Sequence, residues 1–180
     1  MALPLNAGIM GAERLFGEGA TMDELEALAA EIGAMLKARG QKIAVAESSS
    51  GGLISAALLS VPGASAYYLG GAVVYTAKAR VLLTDIPKEA LAGVRSSSEP
   101  YALLLARNQV ERYGADWGIS ETGAAGPTGN GYGDAAGHTC VAVSGPVEAV
   151  TTIETGSDDR SANMRAFAAA SLGLLKKALE

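Results

Sequence analysis

The chain has one cysteine, one histidine, few aromatic residues, no dense basic run and no long apolar stretch. With Cys140 alone, no disulfide framework forms within the chain, and a reduced core thiol in a cytoplasmic protein is expected. Cys140 and His138 each stand alone, so a zinc site of Cys and His ligands is not expected. A Ser-His-Asp triad would have to use His138 and is not expected either. The formal net charge of −5 argues against sequence-independent nucleic-acid binding, while leaving room for a local basic pocket holding a small anion. No apolar run reaches the roughly 18 residues of a membrane span. Met1–Ala20 lacks a basic start and a long apolar centre, so it does not read as a signal peptide. It reads instead as a loose arm or a partner-contact segment. Aromatics make up 5% of the chain, which leaves Ala, Leu and Val to fill most of the core.

What is present is a globular composition, 49% hydrophobic, long enough at 180 residues for one domain with a sizeable core. Thr21-Met22-Asp23-Glu24 is a capping-box pattern. Leu25, Leu28, Ile32, Met35 and Leu36 follow at helical spacing up to a stop at Gly40. Lys42–Ala46 reads as a short buried strand, Gly52–Ser60 as a helix, Gly71–Tyr75 as a second strand and Thr76–Leu83 as a helix. Ser98-Glu99-Pro100 opens a further helix that runs to Gly114. Trp117–Thr122 reads as a strand and Gly123–Gly137 as a glycine-rich loop. His138–Ser144 and Val147–Glu154 read as a strand pair around Gly145-Pro146. Ser157-Asp158-Asp159 caps a last helix ending at Leu179. The alternation predicts an α/β fold, a single layered domain over residues 21–180 whose mixed β-sheet is flanked by helices, preceded by an arm over residues 1–20.

Chemistry concentrates where the first strand turns into a helix, at Ala46-Glu47-Ser48-Ser49-Ser50-Gly51-Gly52. A helix start carries N–H groups without intrahelical partners, which favour an anion or a developing oxyanion. A serine placed there is either a nucleophile beside its own oxyanion donors or an ordinary helix cap. Tyr75-Thr76-Ala77-Lys78-Ala79-Arg80 offers a second set. A lysine desolvated beside a serine can act as its base, whereas arginine stays protonated and suits a phosphate or carboxylate. The alternative is that Lys78 and Arg80 are solvated charges on a helix face. Arg160 sits at the start of the last helix, where the helix dipole disfavours a cation. That makes it a candidate anion ligand, or else a partner of Asp158 or Asp159. The glycine-rich loop permits close backbone approach to a ligand. It lacks G-x-G-x-x-G, and neither a P-loop nor a G-x-S-x-G elbow occurs in the chain.

In order and spacing these segments resemble the CinA C-terminal domain family. The matching pieces are Ala46–Gly52, Val61–Ala66, Gly70–Tyr75, Ser98-Glu99-Pro100, Gly114-Ala115-Asp116, Gly123–Pro127 and Gly156–Arg165, together covering roughly residues 21–178. The resemblance implies an α/β amidohydrolase that converts nicotinamide mononucleotide to nicotinate mononucleotide and ammonia, without a cofactor. It implies Ser48 as nucleophile, Tyr75 as its catalytic companion and Arg160 as a ligand of the substrate. Ser49 and Ser50 stand where the family usually has Cys and Thr. The family's lysine, five residues after the tyrosine, corresponds to Arg80, while Lys78 falls two positions earlier and about 200° away around a helix.

The expected catalytic set is Ser48, Tyr75 and Lys78. The expected substrate-binding set is Ser49, Ser50, Gly51, Gly52, Arg80, Gly123, Gly126 and Arg160, with the oxyanion on N–H groups of Ser49–Gly52. Two other functions remain: a nucleotide-binding domain that does not hydrolyse its ligand, and an amidase for another small carboxamide. The expected partners are a small nucleotide and further copies of the chain, with no nucleic acid and no membrane.

Overall fold

The structure is a computed structural model that describes residues 20–180. The arm expected over residues 1–20 lies, except for Ala20, outside the described residues. Helix α1 (Met22–Arg39) begins on the capping box: Thr21 Oγ1 accepts from the Glu24 N–H, and Glu24 Oε2 accepts from the Thr21 N–H at 2.7 Å. It ends at Gly40, whose φ of +63° supplies the left-handed cap. Strand β1 (Ile43–Glu47), helix α2 (Leu53–Ser60) and strand β2 (Tyr68–Val73) follow. Then come α3 (Ala77–Thr84), α4 (Glu99–Tyr113), β3 (Trp117–Ala124), β4 (His138–Ser144), β5 (Ala149–Glu154) and α5 (Arg160–Leu179).

The five strands form one mixed sheet in the order β2-β1-β3-β4-β5. β1 runs parallel to β2 and β3, while β4 and β5 run antiparallel to their neighbours. Side chains alternate across the strands and sort the helices into two layers. Ile43, Val45, Ile119 and Val143 join a core built with α1, α2 and α5. Ala46, Cys140 and Ala142 face the other way, toward α4 and the segment that follows β2. Gly118 belongs to this second face, where a Cβ would stand 2.0 Å from the Ala106 carbonyl; α4 therefore crosses β3 at backbone contact.

β3 extends beyond its expected end, and β2 lies earlier than the expected Gly71–Tyr75, ending at Val73. β2 starts at Tyr68 and includes Gly70 and Gly71, because Val45 pairs with Gly71 and a Cβ there would press on Ser55 Oγ and Tyr68 Oη. β3 runs through Gly123 to Ala124, which the sequence assigns to loop; the Gly123–Thr139 and Ala124–His138 pairs hold it in the sheet. At Gly123 a Cβ would lie 2.3 Å from the His138 carbonyl. In both places glycine serves close packing inside a strand and not a turn.

Candidate active site

The parallel strands deliver their C-terminal ends to one edge of the sheet, the usual place for a ligand in an open α/β sheet. Face parity explains what lies under the Ser48 turn. Glu47 continues Ile43 and Val45 onto the α2 face, and Glu121 continues Ile119 there; both are fully buried. Buried carboxylates need donors, and these two collect them from the turn. Glu47 Oε2 accepts from Ser50 Oγ at 2.8 Å, the Gly52 N–H at 2.9 Å and the Ile54 N–H at 3.1 Å. Its Oε1 accepts from the N–H and the hydroxyl of Ser55. Glu121 Oε2 accepts from the N–H groups of Ser48 and Ser50 at 3.1 and 2.8 Å. Its Oε1 accepts from Ser49 Oγ at 2.5 Å and Thr139 Oγ1 at 2.8 Å.

This arrangement sorts three consecutive hydroxyls. Ser49 and Ser50 are buried and donate to Glu121 and Glu47. Ser48 is half-buried, and among the described residues its Oγ has no hydrogen-bond partner. The turn is closed by glycines at φ +68° (Gly51) and +102° (Gly52), values that side-chain-bearing residues rarely adopt. A Cβ on Gly51 would also meet Met164 of α5 at 2.7 Å.

The oxyanion site expected on Ser49–Gly52 requires correction. The Ser50 N–H is held by Glu121, that of Gly51 by the Ser48 carbonyl at 3.1 Å and that of Gly52 by Glu47. Only the Ser49 N–H remains without an acceptor among the described residues. The buried carboxylates occupy the donors that a helix start would otherwise offer to a ligand.

Tyr75, Arg160 and Gly126 do come together. Val74 donates to the Glu47 carbonyl at 2.7 Å, which places Tyr75 beside the end of β1. Arg160, the first residue of α5, donates through Nη1 to the Gly126 carbonyl at 2.6 Å and through Nη2 to Tyr75 Oη at 3.1 Å. Its guanidinium also lies 5.9 Å from the Tyr75 ring centroid. Arg160 therefore pairs with neither Asp158 nor Asp159; these bonds use two of its five N–H donors. Asn163, one turn later, holds the carbonyls of Ala125 and Ser157, both at 2.8 Å, so α5 fixes the start of the glycine-rich loop.

Lys78 and Arg80 point apart, as two residues on a helix must. Lys78 is exposed and makes no side-chain hydrogen bond or ion pair within the described residues, to Ser48 or to any other residue. Arg80 is half-buried, with its guanidinium 5.9 Å from the Tyr101 ring centroid.

The far side of the loop is held by ions. Arg95 grips Asp134 with two bonds of 2.6 and 2.9 Å, which lowers the Asp134 pKa. His138 places Nδ1 2.5 Å from Glu154 Oε1 and Nε2 3.0 Å from the Ser97 carbonyl. Burial opposes its charge, but the bonds to Glu154 and Ser97, together with nearby Asp134, raise its pKa above the ordinary value. Ser97 in turn donates its N–H to Thr122 Oγ1 at 3.1 Å. Glu47, Glu121, Arg95, Asp134 and Asn163 were not singled out from sequence. The available signal was an acidic residue inside a buried strand, present at Glu47 and Glu121.

Among the described residues no group of three or more His, Cys, Asp or Glu side chains gathers in a way that could hold a metal ion, and no helix is long and apolar enough to cross a membrane.

An α/β domain with its candidate site on the C-terminal edge of the parallel strands is the class defined by this geometry. The family model for the CinA C-terminal domain matches residues 25–179, and the chain belongs to that family. A CinA-like protein of Anaeromyxobacter sp. (strain K) is 41% identical over 174 residues, covering 96% of this chain and 41% of that protein. A CinA-like protein of Parasynechococcus marenigrum is 38% identical over 135 residues, covering 75% of this chain and 32% of that protein. The chain thus spans less than half the length of the curated relatives it matches. Among solved structures, the competence/damage inducible protein CihA of Agrobacterium tumefaciens aligns with a TM-score of 0.79 at 29% identity, covering 86% of this chain and 94% of that one. A competence or damage-inducible protein of Enterobacter asburiae gives 0.80 at 27%, covering 87% and 98%.

Proposed function

We propose that this domain is a serine amidohydrolase acting on the carboxamide of a pyridine nucleotide, converting nicotinamide mononucleotide to nicotinate mononucleotide and ammonia. The observation that carries the reading is the sorting of the three hydroxyls: Ser48 alone has a free, accessible Oγ, on a turn held rigid by two buried carboxylates. In this mechanism Ser48 Oγ bonds to the amide carbon as its proton passes through water to Lys78, which makes no direct hydrogen bond to Ser48. The Ser49 N–H faces the oxyanion, and a donor so aimed is worth about 3 kcal/mol. The carbon–nitrogen bond breaks as the nitrogen gains a proton by way of Tyr75, and water then releases the acid from Ser48. Tyr75 Oη accepts from Arg160, which leaves its own hydrogen free to be donated. Gly123 and Gly126 let the loop backbone approach the nucleotide closely.

The test is ammonia release from nicotinamide mononucleotide by the wild type and Ser48→Ala. The reading expects turnover in the wild type and a loss of at least about 10³-fold in the variant. Full activity in Ser48→Ala overturns it.

A second reading, a nucleotide-binding domain without hydrolysis, is favoured by one observation: Arg80 stands at the position of the family lysine while Lys78 is exposed and makes no hydrogen bond to Ser48. It expects the nucleotide to raise the melting temperature with no ammonia released. Assembly belongs to the same proposal. β2 is a sheet edge, and Leu69, Val73, Val81, Leu82 and Leu83 expose apolar surface on it and on the adjoining α3. A second copy of the chain is the proposed occupant. Sedimentation of a dimer that dissociates in Leu82→Glu supports it, and a monomeric wild type overturns it.

A further inference from the structure

The described arginines divide sharply. Arg95, Arg107 and Arg112 pair with Asp134, Glu148 and Asp85. Arg39, Arg160 and Arg165 donate to carbonyl or hydroxyl oxygens. Arg80 alone donates to no protein oxygen, although its Nε is buried. A buried donor without an acceptor is costly, and the Tyr101 ring supplies only a diffuse counter-field.

Arg80 opens into a cleft of about 460 Å³ whose walls include Val94, Arg95, Ser96 and Tyr132. The charge of Arg95 is balanced there by Asp134, so the uncompensated positive charge is that of Arg80. The Ser96 hydroxyl also lacks a protein partner among the described residues. Tyr132 stands at the rim with its ring exposed, and Arg95 lies 5.7 Å from the centroid. The loop carrying it is pinned in place: Asn130 Oδ1 accepts from the N–H groups of Tyr132 and Asp134.

The cleft is linked to the Ser48 turn by hydrogen bonds to successive residues of β3. Ser97, next to Ser96, donates to Thr122, and the preceding residue, Glu121, holds the Ser48 N–H.

We propose that Arg80 and Ser96 form the phosphate subsite of this domain, taking the monophosphate ester of a nucleotide whose amide reaches Ser48. This rests on the function proposed above and puts the phosphate not on Arg160, the sequence's candidate anion ligand, but on the one described arginine that donates to no protein oxygen. It also gives a purpose to arginine at position 80. A guanidinium is a poor proton acceptor and a good phosphate ligand.

The probe is ribose 5-phosphate, titrated into the wild type while the Arg80 Nε–Hε resonance is followed by NMR, and into the wild type, Arg80→Gln and Arg80→Lys by isothermal titration calorimetry for affinity. Ribose and inorganic phosphate serve as comparison ligands. The proposal expects that resonance to shift with ribose 5-phosphate and not with ribose. It expects at least tenfold weaker binding in Arg80→Gln, with partial recovery in Arg80→Lys. Affinity unchanged by Arg80→Gln in a folded variant overturns it, as does inorganic phosphate binding as tightly as the ester. Binding needs no turnover, so the two proposals fail separately. A wild type that binds through Arg80 yet releases no ammonia overturns the hydrolase alone. Ammonia release with a KM for the nucleotide unchanged in Arg80→Gln overturns the subsite alone.

Discussion

The Ser48 turn and the glycine-rich loop both rest on acidic side chains, but they satisfy them in opposite ways. Under the turn, Glu47 and Glu121 are fully buried and meet only backbone N–H groups and hydroxyls. Under the loop, Asp134 and Glu154 meet Arg95 and His138. Neutral donors fixed in the backbone set a geometry that ionic strength barely touches. Ion pairs with partly exposed members respond to salt and to protons. Ser48, the proposed nucleophile, thus sits on the first kind of support, and the glycine-rich loop on the second.

The largest expected effect comes from breaking the first support. Glu47→Ala strips the acceptor from five donors at the start of α2 and should cost about 3–5 kcal/mol of stability by urea unfolding. A cost below about 1 kcal/mol would mean that water replaces the carboxylate and that the turn is not braced as described. Removing one donor is a milder probe: Thr139→Val should cost about 1–2 kcal/mol. The surface pair of Arg107 and Glu148 is the control, and Arg107→Ala should cost at most about 1 kcal/mol.

The loop should differ by depending on pH. The His138 pKa is raised in the folded protein, so its contribution is complete below the ordinary value of about 6.5 and is lost as pH rises through the folded value. The Asp134 pKa is lowered, so its contribution is complete above about 3.9 and is lost as pH falls through the folded value. Hydrogen-exchange protection of residues 129–137, corrected for intrinsic rates, should therefore fall from a pH below 6.5 to one well above it. His138→Gln should abolish that fall. Equal protection at both pH values in the wild type would contradict the ionic clamp.

Much of this architecture was legible in the sequence. The capping box at Thr21, the stop at Gly40, the His138–Ser144 strand and the cap at Asp159 carry local chemistry that the structure repeats. Gly70 and Gly123 misled, because glycine demanded by a close neighbour looks the same in sequence as glycine demanded by a turn. The candidate site was legible as a place but not as a circuit. Ser48, Tyr75, Gly126 and Arg160 were marked by type and spacing, and the last three meet. The burial of Glu47 and Glu121 beneath Ser48 depends on strand parity across β1 and β3, which local pattern does not encode. The isolation of Arg80 is likewise a property of what surrounds it, since a solvated helix-face arginine has the same sequence signature.

The most direct test of the central claim compares Ser48→Ala, Ser49→Ala and Ser50→Ala, measuring ammonia release from nicotinamide mononucleotide and unfolding free energy for each. The account predicts that Ser48→Ala keeps its stability and loses turnover, while the other two lose about 1–2 kcal/mol and keep turnover. Turnover surviving in Ser48→Ala, or lost only in Ser49→Ala, would contradict it.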